Sequence, residues 1–125
     1  MDIVINPQSQ TPIYQQIFSQ ISAQIIRGEL AGDSALPPIR TVARELKISV
    51  ITIKKAWEEL EHQGFIYTVT GKGCFVTPLS LEKRADLREH LVTGLLQKDI
   101  VSCRELGLDL DAIIGTVTKL YADAE

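Results

Sequence analysis

A serine-capped amphipathic stretch, Ser49 to Gly64, runs straight into a β-rich stretch, Phe65 to Val76, and this junction narrows the possible folds more than any other feature of the chain. Between Ser49 and Gly64, Ile53, Ala56, Trp57 and Leu60 recur at i, i+3, i+4 and i+7, the spacing of a helix with one buried face. Ser49 offers its hydroxyl to the unpaired amides of the first turn, and Gly64 stops the helix. Phe65 to Val69 and Cys74 to Thr77 are rich in β-branched and aromatic residues. Thr70-Gly-Lys-Gly73 separates them and Pro78 ends the second, so they read as a hairpin with a basic glycine tip. The GxxxxGK[ST] phosphate-loop pattern is absent and no helix follows, which argues against a nucleotide loop.

Upstream, the first helix is expected to begin near Thr11-Pro12, with Thr11 as cap and Pro12 at the first helical position. Ile13, Ile17, Ile21 and Ile25 form its core stripe, flanked by Phe18 and Ile26, and Arg27-Gly28 ends it. A loop then runs to Leu36-Pro37-Pro38. The second helix, roughly 38–46, is expected to bury Ile39, Val42, Ala43 and Leu46 and to leave Arg40, Thr41, Arg44 and Glu45 towards solvent. Lys47-Ile48 is a short turn, so helices two and three make a helix-turn-helix whose second member is shaped to enter the major groove.

From Ser80 onward the pattern is helical again. Leu87, Leu91 and Leu95, beside Val92, Leu96, Ile100 and Cys103, make a broad apolar face that Leu106-Gly107 closes. Asp109 then caps a last helix bearing Leu110, Ile113, Ile114, Val117 and Tyr121. Two such helices do not cover these faces by themselves. A second copy of the chain is the natural cover; folding back on the first domain is the alternative. The reading is thus a mostly α chain with a small β-hairpin: a winged helix-turn-helix DNA-binding domain over 1–78 and a two-helix C-terminal dimerisation module over 79–125.

Charge is distributed in keeping with this. The formal net charge of −3 is unfavourable for a polyanion partner, yet Arg40 to Lys55 holds five bases against one acid, while 79–125 holds six against nine. The expected DNA face comprises Arg40, Thr41, Arg44, Ser49, Val50, Ile51, Thr52, Lys54, Lys55, Gly71, Lys72 and Gly73. Arg40 presents a fork of donors to guanine or phosphate, and the lysines act as point charges. Lys72 belongs at a minor groove, where a narrow A·T tract concentrates negative potential. Ile51, off the apolar stripe, is open to water unless a thymine methyl covers it.

Other classes fare poorly. Cys74 and Cys103 have no CxxC or Cys/His neighbour and are expected as buried free thiols, and His62 and His90 stand alone without GxSxG or HExxH. Glu58, Glu59 and Glu61 read as a solvated helix face. No enzyme, no metal and no cofactor is implied. No run approaches about eighteen apolar residues and the amino terminus lacks a leader pattern, so the cytoplasm is the expected location. The competing class is a winged helix that docks an acidic protein through the same basic face.

Several short motifs together resemble the GntR transcription factors of bacteria, and among them the small YtrA type: Pro12-Ile-Tyr-Gln-Gln-Ile, Gly28-Glu-Leu, Leu36-Pro37 with Arg40 and Ala43, Leu60-Glu61 with Gly64-Phe65-Ile66, and Gly71-Lys-Gly-Cys-Phe-Val76. The two-helix tail with Leu106-Gly-Leu-Asp is similar to the short dimerisation module of that type. The resemblance implies that Arg40 touches an operator, that Thr52 and Lys54 lie on the recognition helix, and that Gly71 to Gly73 reach the minor groove. It also implies a homodimer on a palindromic site, repression by blocking polymerase, and control of a neighbouring transporter operon. Any effector would bind between subunits or beside the first domain. The chain departs from the pattern at Val50, Ile51 and Pro38, where relatives commonly carry Arg or Pro, Asn or Thr, and a capping Ser.

Overall fold

A computed structural model describes residues 1–124 and resolves two compact units, Met1–Arg84 and Ala85–Glu125. In the first, helices α1 (Ile13–Ile26), α2 (Ile39–Leu46) and α3 (Val50–His62) are followed by strands β1 (Ile66–Val69) and β2 (Gly73–Val76). Helix α4 (Leu81–Glu105) begins in this unit and continues into the second, which also holds α5 (Leu110–Asp123).

The core of the first unit is the set of stripes read from periodicity. Ile17, Ile21 and Ile25 of α1 are buried, as are Val42 and Ala43 of α2, and Ile53, Ala56, Trp57 and Leu60 of α3, with Phe65, Ile66 and Val76 beneath the hairpin. Each fully buried large side chain contributes roughly 1.5–3 kcal/mol relative to exposure. Phe18 meets Phe65 edge to face, centroids 6.0 Å apart, which closes α1 over the root of β1. Ile39 and Leu46 are only half-buried, because α2 is two turns long and its ends overhang the core.

Helix starts differ in a consistent way. Neither Thr11 nor any other side chain caps α1; Pro12 itself occupies the cap position, and its carbonyl accepts from the amides of Gln15 and Gln16 at 3.0 and 3.1 Å. Pro38 does the same for α2, accepting from Thr41 and Val42, so that helix opens at Ile39. An extended ψ makes each proline the cap residue outside the helix; its carbonyl takes the ordinary first helical bonds, as the carbonyls of Ser49 and Asp109 also do, and no side chain adds a cap. Ser49 and Asp109 do cap as expected, accepting from the amides of Thr52 and Ala112 at 3.2 and 2.9 Å. Both cysteines are free, and both are half-buried rather than buried.

Two irregular segments are tied down by means that no periodicity reveals. Residues 33–36, expected as loop, line the outer edge of β2: Asp33 and Leu36 donate to Val76 and Cys74, and Val76 donates to Ser34. Gly32 lets this edge approach, since a Cβ there would lie 2.7 Å from Pro78 Cα. The amino terminus lies along α1, held by a ladder of glutamines. Gln24 donates to the Asp2 carbonyl, Gln20 bonds both the N–H and C=O of Val4, and Gln16 bonds both of Asn6. Four helical residues rise about 6 Å and two extended residues span about 6.6 Å, so an i, i+4, i+8 row of amides matches alternate residues of a strand running the other way.

Gln20→Ala removes the central rung. Because both bonds are solvent-accessible, we expect a loss of about 1 kcal/mol in urea unfolding and faster exchange of the Val4 amide. An unchanged exchange rate at Val4 would contradict the ladder.

Candidate nucleic-acid interface

Helix α2 ends at Lys47, whose left-handed conformation (φ 58°) reverses the chain sharply enough to bring Ser49 to the cap of α3. The buried stripe of α3 then fixes the rotation of the helix. With Ile53, Ala56, Trp57 and Leu60 turned into the core, Val50, Ile51, Lys54, Lys55 and Glu58 are left exposed.

The expected contact residues divide into three groups. Arg40, Arg44, Lys54 and Lys72 are exposed, and among the described residues the single ion pair joins Arg27 to Glu29, so these four cations have no acidic partner. Lys55 is exposed as well, but its ammonium sits over the Tyr14 ring of α1 at 4.1 Å from the centroid, a contact worth about 0.5–1 kcal/mol at the surface. Thr41 and Thr52 are half-buried, and the Thr52 hydroxyl lies 2.8 Å from Ser49 Oγ, so it is engaged within the cap. Val50 and Ile51 stand out in the open.

The hairpin presents its tip freely. Val69 pairs with Gly73, and the intervening turn closes through the Lys72 amide, which donates to the Val69 carbonyl at 2.9 Å. Gly71 (φ +79°) and Gly73 (φ +110°) hold the left-handed conformations that such a turn requires, and a Cβ built on either meets nothing within 4 Å. The lysine between them is therefore carried on a narrow, uncrowded loop.

A feature missed in the sequence fixes the root of this hairpin. Tyr67 stacks on Phe75, ring centroids 5.6 Å apart, and its hydroxyl donates to Asp33 Oδ1 at 2.7 Å. Asp33 reaches it from a left-handed conformation (φ 65°) that Asp tolerates better than most residues. The only available signal was the Gly32-Asp33 pair, which reads as an ordinary turn.

Of the eight expected dimerisation residues, Leu95, Ile100, Ile114, Val117 and Tyr121 are exposed, and Leu87, Leu91 and Ile113 are half-buried. No residue of α4 or α5 is buried. Among the described residues no group of His, Cys, Asp and Glu is arranged to hold a metal, and no helix is long and apolar enough to cross a membrane.

The Tyr67 bond raises the phenol pKa above its ordinary 10.0, first through the hydrogen bond to Asp33, then through burial and repulsion by the Asp33 charge. A raised folded pKa means that this stabilisation is complete below pH 10 and is lost as the pH climbs through the folded value. We expect ultraviolet titration to show a late tyrosine ionisation that is absent from Tyr67→Phe and moved back toward the ordinary value by Asp33→Ala, which removes both the acceptor and the charge. Three coincident tyrosine titrations in the wild type would refute the tether.

Comparison with known proteins agrees with this geometry. The sequence model described as bacterial regulatory proteins, gntR family, matches residues 13–76. The chain is similar to the HTH-type transcriptional repressor YtrA of Bacillus subtilis, 27% identical over 123 residues covering 98% of this chain and 95% of that protein. Among solved structures, a GntR family transcriptional regulator from Listeria monocytogenes superposes with a TM-score of 0.68 at 30% identity, covering 90% of this chain and 97% of the other. The AraR DNA-binding domain, solved in complex with operator ORE1, superposes with a TM-score of 0.52 at 30% identity, covering 62% of this chain and 94% of the other.

Proposed function

This chain belongs to the gntR family of bacterial regulatory proteins and is a DNA-binding transcriptional regulator; from that premise we propose that it acts as a repressor, as a homodimer on a palindromic operator. The observation that carries this reading is the set of unpaired cations on the helix-turn-helix and the wing: Arg40, Arg44, Lys54 and Lys72. A cation with an acid beside it is already neutralised; one without can release a counterion from DNA when it meets a phosphate. The similar AraR DNA-binding domain, solved in complex with its operator, supports DNA as the partner.

In this reading α3 enters the major groove and the loop Gly71 to Gly73 reaches the neighbouring minor groove. Arg40, with Thr41 and Arg44 beside it, meets a base edge or backbone, and Lys54 and Lys55 meet phosphate. Lys55 must leave the Tyr14 ring to do so, which discounts its contribution. The capping Ser49 and Thr52 set the angle of the helix more than they touch bases.

The second unit provides the pairing. Leu95 (66% exposed), Val117 (53%) and Tyr121 (74%) belong to faces too apolar to remain in water, and Leu87, Leu91, Ile100, Ile113 and Ile114 extend them. Residues 1–78 then act as the DNA-binding domain and 79–125 as the dimerisation module. A two-fold dimer requires a two-fold operator, with half-sites about one or two helical turns apart. The setting is the cytoplasm, the regulated unit a transporter operon as the likeness to YtrA-type regulators suggests, and no catalytic step is involved.

Two measurements test this. Lys72→Ala should weaken operator binding by about 1 kcal/mol and lower the slope of log K against log salt by about one, uniformly across sequences. Indifference of the wild-type protein to both salt and sequence would refute the reading. Leu95→Asp, on an already exposed position, should leave the first unit folded while converting a dimer to a monomer in sedimentation equilibrium, with operator affinity falling in parallel. A wild-type chain that sediments as a monomer at micromolar concentration would refute the dimer.

A further inference from the structure

The first turn of α3 differs chemically from the other exposed parts of the helix-turn-helix. Val50 and Ile51 are consecutive and 41% and 79% exposed, whereas Ile53, Ala56, Trp57 and Leu60 of the same helix are buried. Ile51 lies on the side of α3 opposite the stripe that defines the core and covers nothing, whereas Val50, three residues before Ile53 and seven before Trp57, borders that stripe and is partly covered. A single exposed isoleucine is ordinary. One at the end of the helix that leads into the groove gives that end a branched aliphatic surface with a particular chemistry.

The hydroxyls of that turn are largely engaged in the cap. Ser49 Oγ accepts the Thr52 amide at 3.2 Å and shares a hydrogen bond with Thr52 Oγ1 at 2.8 Å, which leaves one hydroxyl proton between them. No amide or guanidinium side chain occurs between Ser49 and Ile53, so the turn has none of the bidentate donors that read guanine or adenine edges. It presents branched carbon instead. β-Branching leaves Val and Ile one strongly preferred χ1 in a helix, so that carbon is held in a fixed shape.

The amino-terminal residues of a recognition helix are the ones that meet base edges. In the major groove the complementary carbon is the C5 methyl of thymine, which no other unmodified base carries. We infer that Ile51 is a specificity-determining contact to a 5-methylpyrimidine, so that the operator half-site carries thymine under the start of α3. This rests on the DNA-binding reading of α3 given above. The same methyl is borne by 5-methylcytosine, so methylated cytosine at that position serves in place of thymine.

The test uses the full-length protein and a duplex it selects from a random-sequence pool. Each thymine of that duplex is replaced in turn by deoxyuridine, which removes the methyl and nothing else, and binding is measured for the wild type and for Ile51→Ala. One thymine per half-site should lose roughly fourfold in wild-type affinity on replacement, the worth of one buried methyl group. Ile51→Ala should bind the thymine and uracil duplexes equally, while its thermal melting stays that of the wild type because the side chain is exposed. Cytosine placed at the sensitive position should bind poorly, and 5-methylcytosine should recover part of the loss. A wild-type protein that binds its selected duplex with sequence preference yet ignores every uracil replacement overturns this inference alone. A protein that selects no duplex overturns the DNA-binding reading and this inference with it.

Discussion

The burial of one face of α3 is the constraint on which the recognition surface depends. Ile53, Ala56, Trp57 and Leu60 are withdrawn from water against a molecule whose α1 stripe, Ile17, Ile21 and Ile25, is equally buried, and α1 and α3 pack together. Close-packed interiors resist rotation of such a helix, because turning it would expose Trp57 and open a void. Ile51 and Lys54 are therefore outward by exclusion, through no preference of their own. The strong core residues thus set the geometry of the weak, solvent-facing ones to which the DNA contact is assigned in the proposal above.

The hairpin is held by a similar division of labour. Its tip is open, with two left-handed glycines and one lysine, while its base is closed by several unrelated interactions: the edge residues 33–36 bonded to β2, the Tyr67 hydroxyl on Asp33, and the Tyr67–Phe75 stack. A two-stranded hairpin by itself is marginal in water. The third edge and the aromatic stack let the first unit keep a short hairpin in place while leaving its tip free to contact a partner.

What could be read from the sequence follows from the range of the forces involved. The stripes of α1 and α3, the caps Ser49 and Asp109, and the glycine turn of the hairpin are local patterns, each contained within a few residues, and each appears where its pattern lies. Thr11 misled because Pro12 keeps an extended ψ and is itself the cap residue, so the helix opens one residue later and Thr11 lies outside it; the ψ of a proline is not written in its identity. The glutamine ladder and the β2 edge were illegible for a different reason. Gln16, Gln20 and Gln24 look like an ordinary solvated face of α1, and their meaning depends on a segment ten to twenty-two residues away. In the site, exposure of Arg40 and Lys54 followed from periodicity and that of Lys72 from its glycine-flanked turn, but the capture of Lys55 by Tyr14 and of Thr52 by Ser49 are side-chain pairings that spacing does not encode.

Charge and apolarity are also separated along the chain in a way that bears on assembly. The five bases and one acid between Arg40 and Lys55 lie in the first unit, whereas the acid excess lies in 79–125, on helices that bury none of their residues. An acidic tail is repelled by phosphate and so is kept from competing with α3 for DNA, while its exposed leucines, isoleucines and valines lose little by meeting a like surface, since apolar association is indifferent to salt where phosphate contacts are not. In the homodimer proposed above, salt would therefore weaken the hold on DNA without dissolving the pairing of the tail, and the spacing of the two copies of α3 would not have to be rebuilt at each encounter.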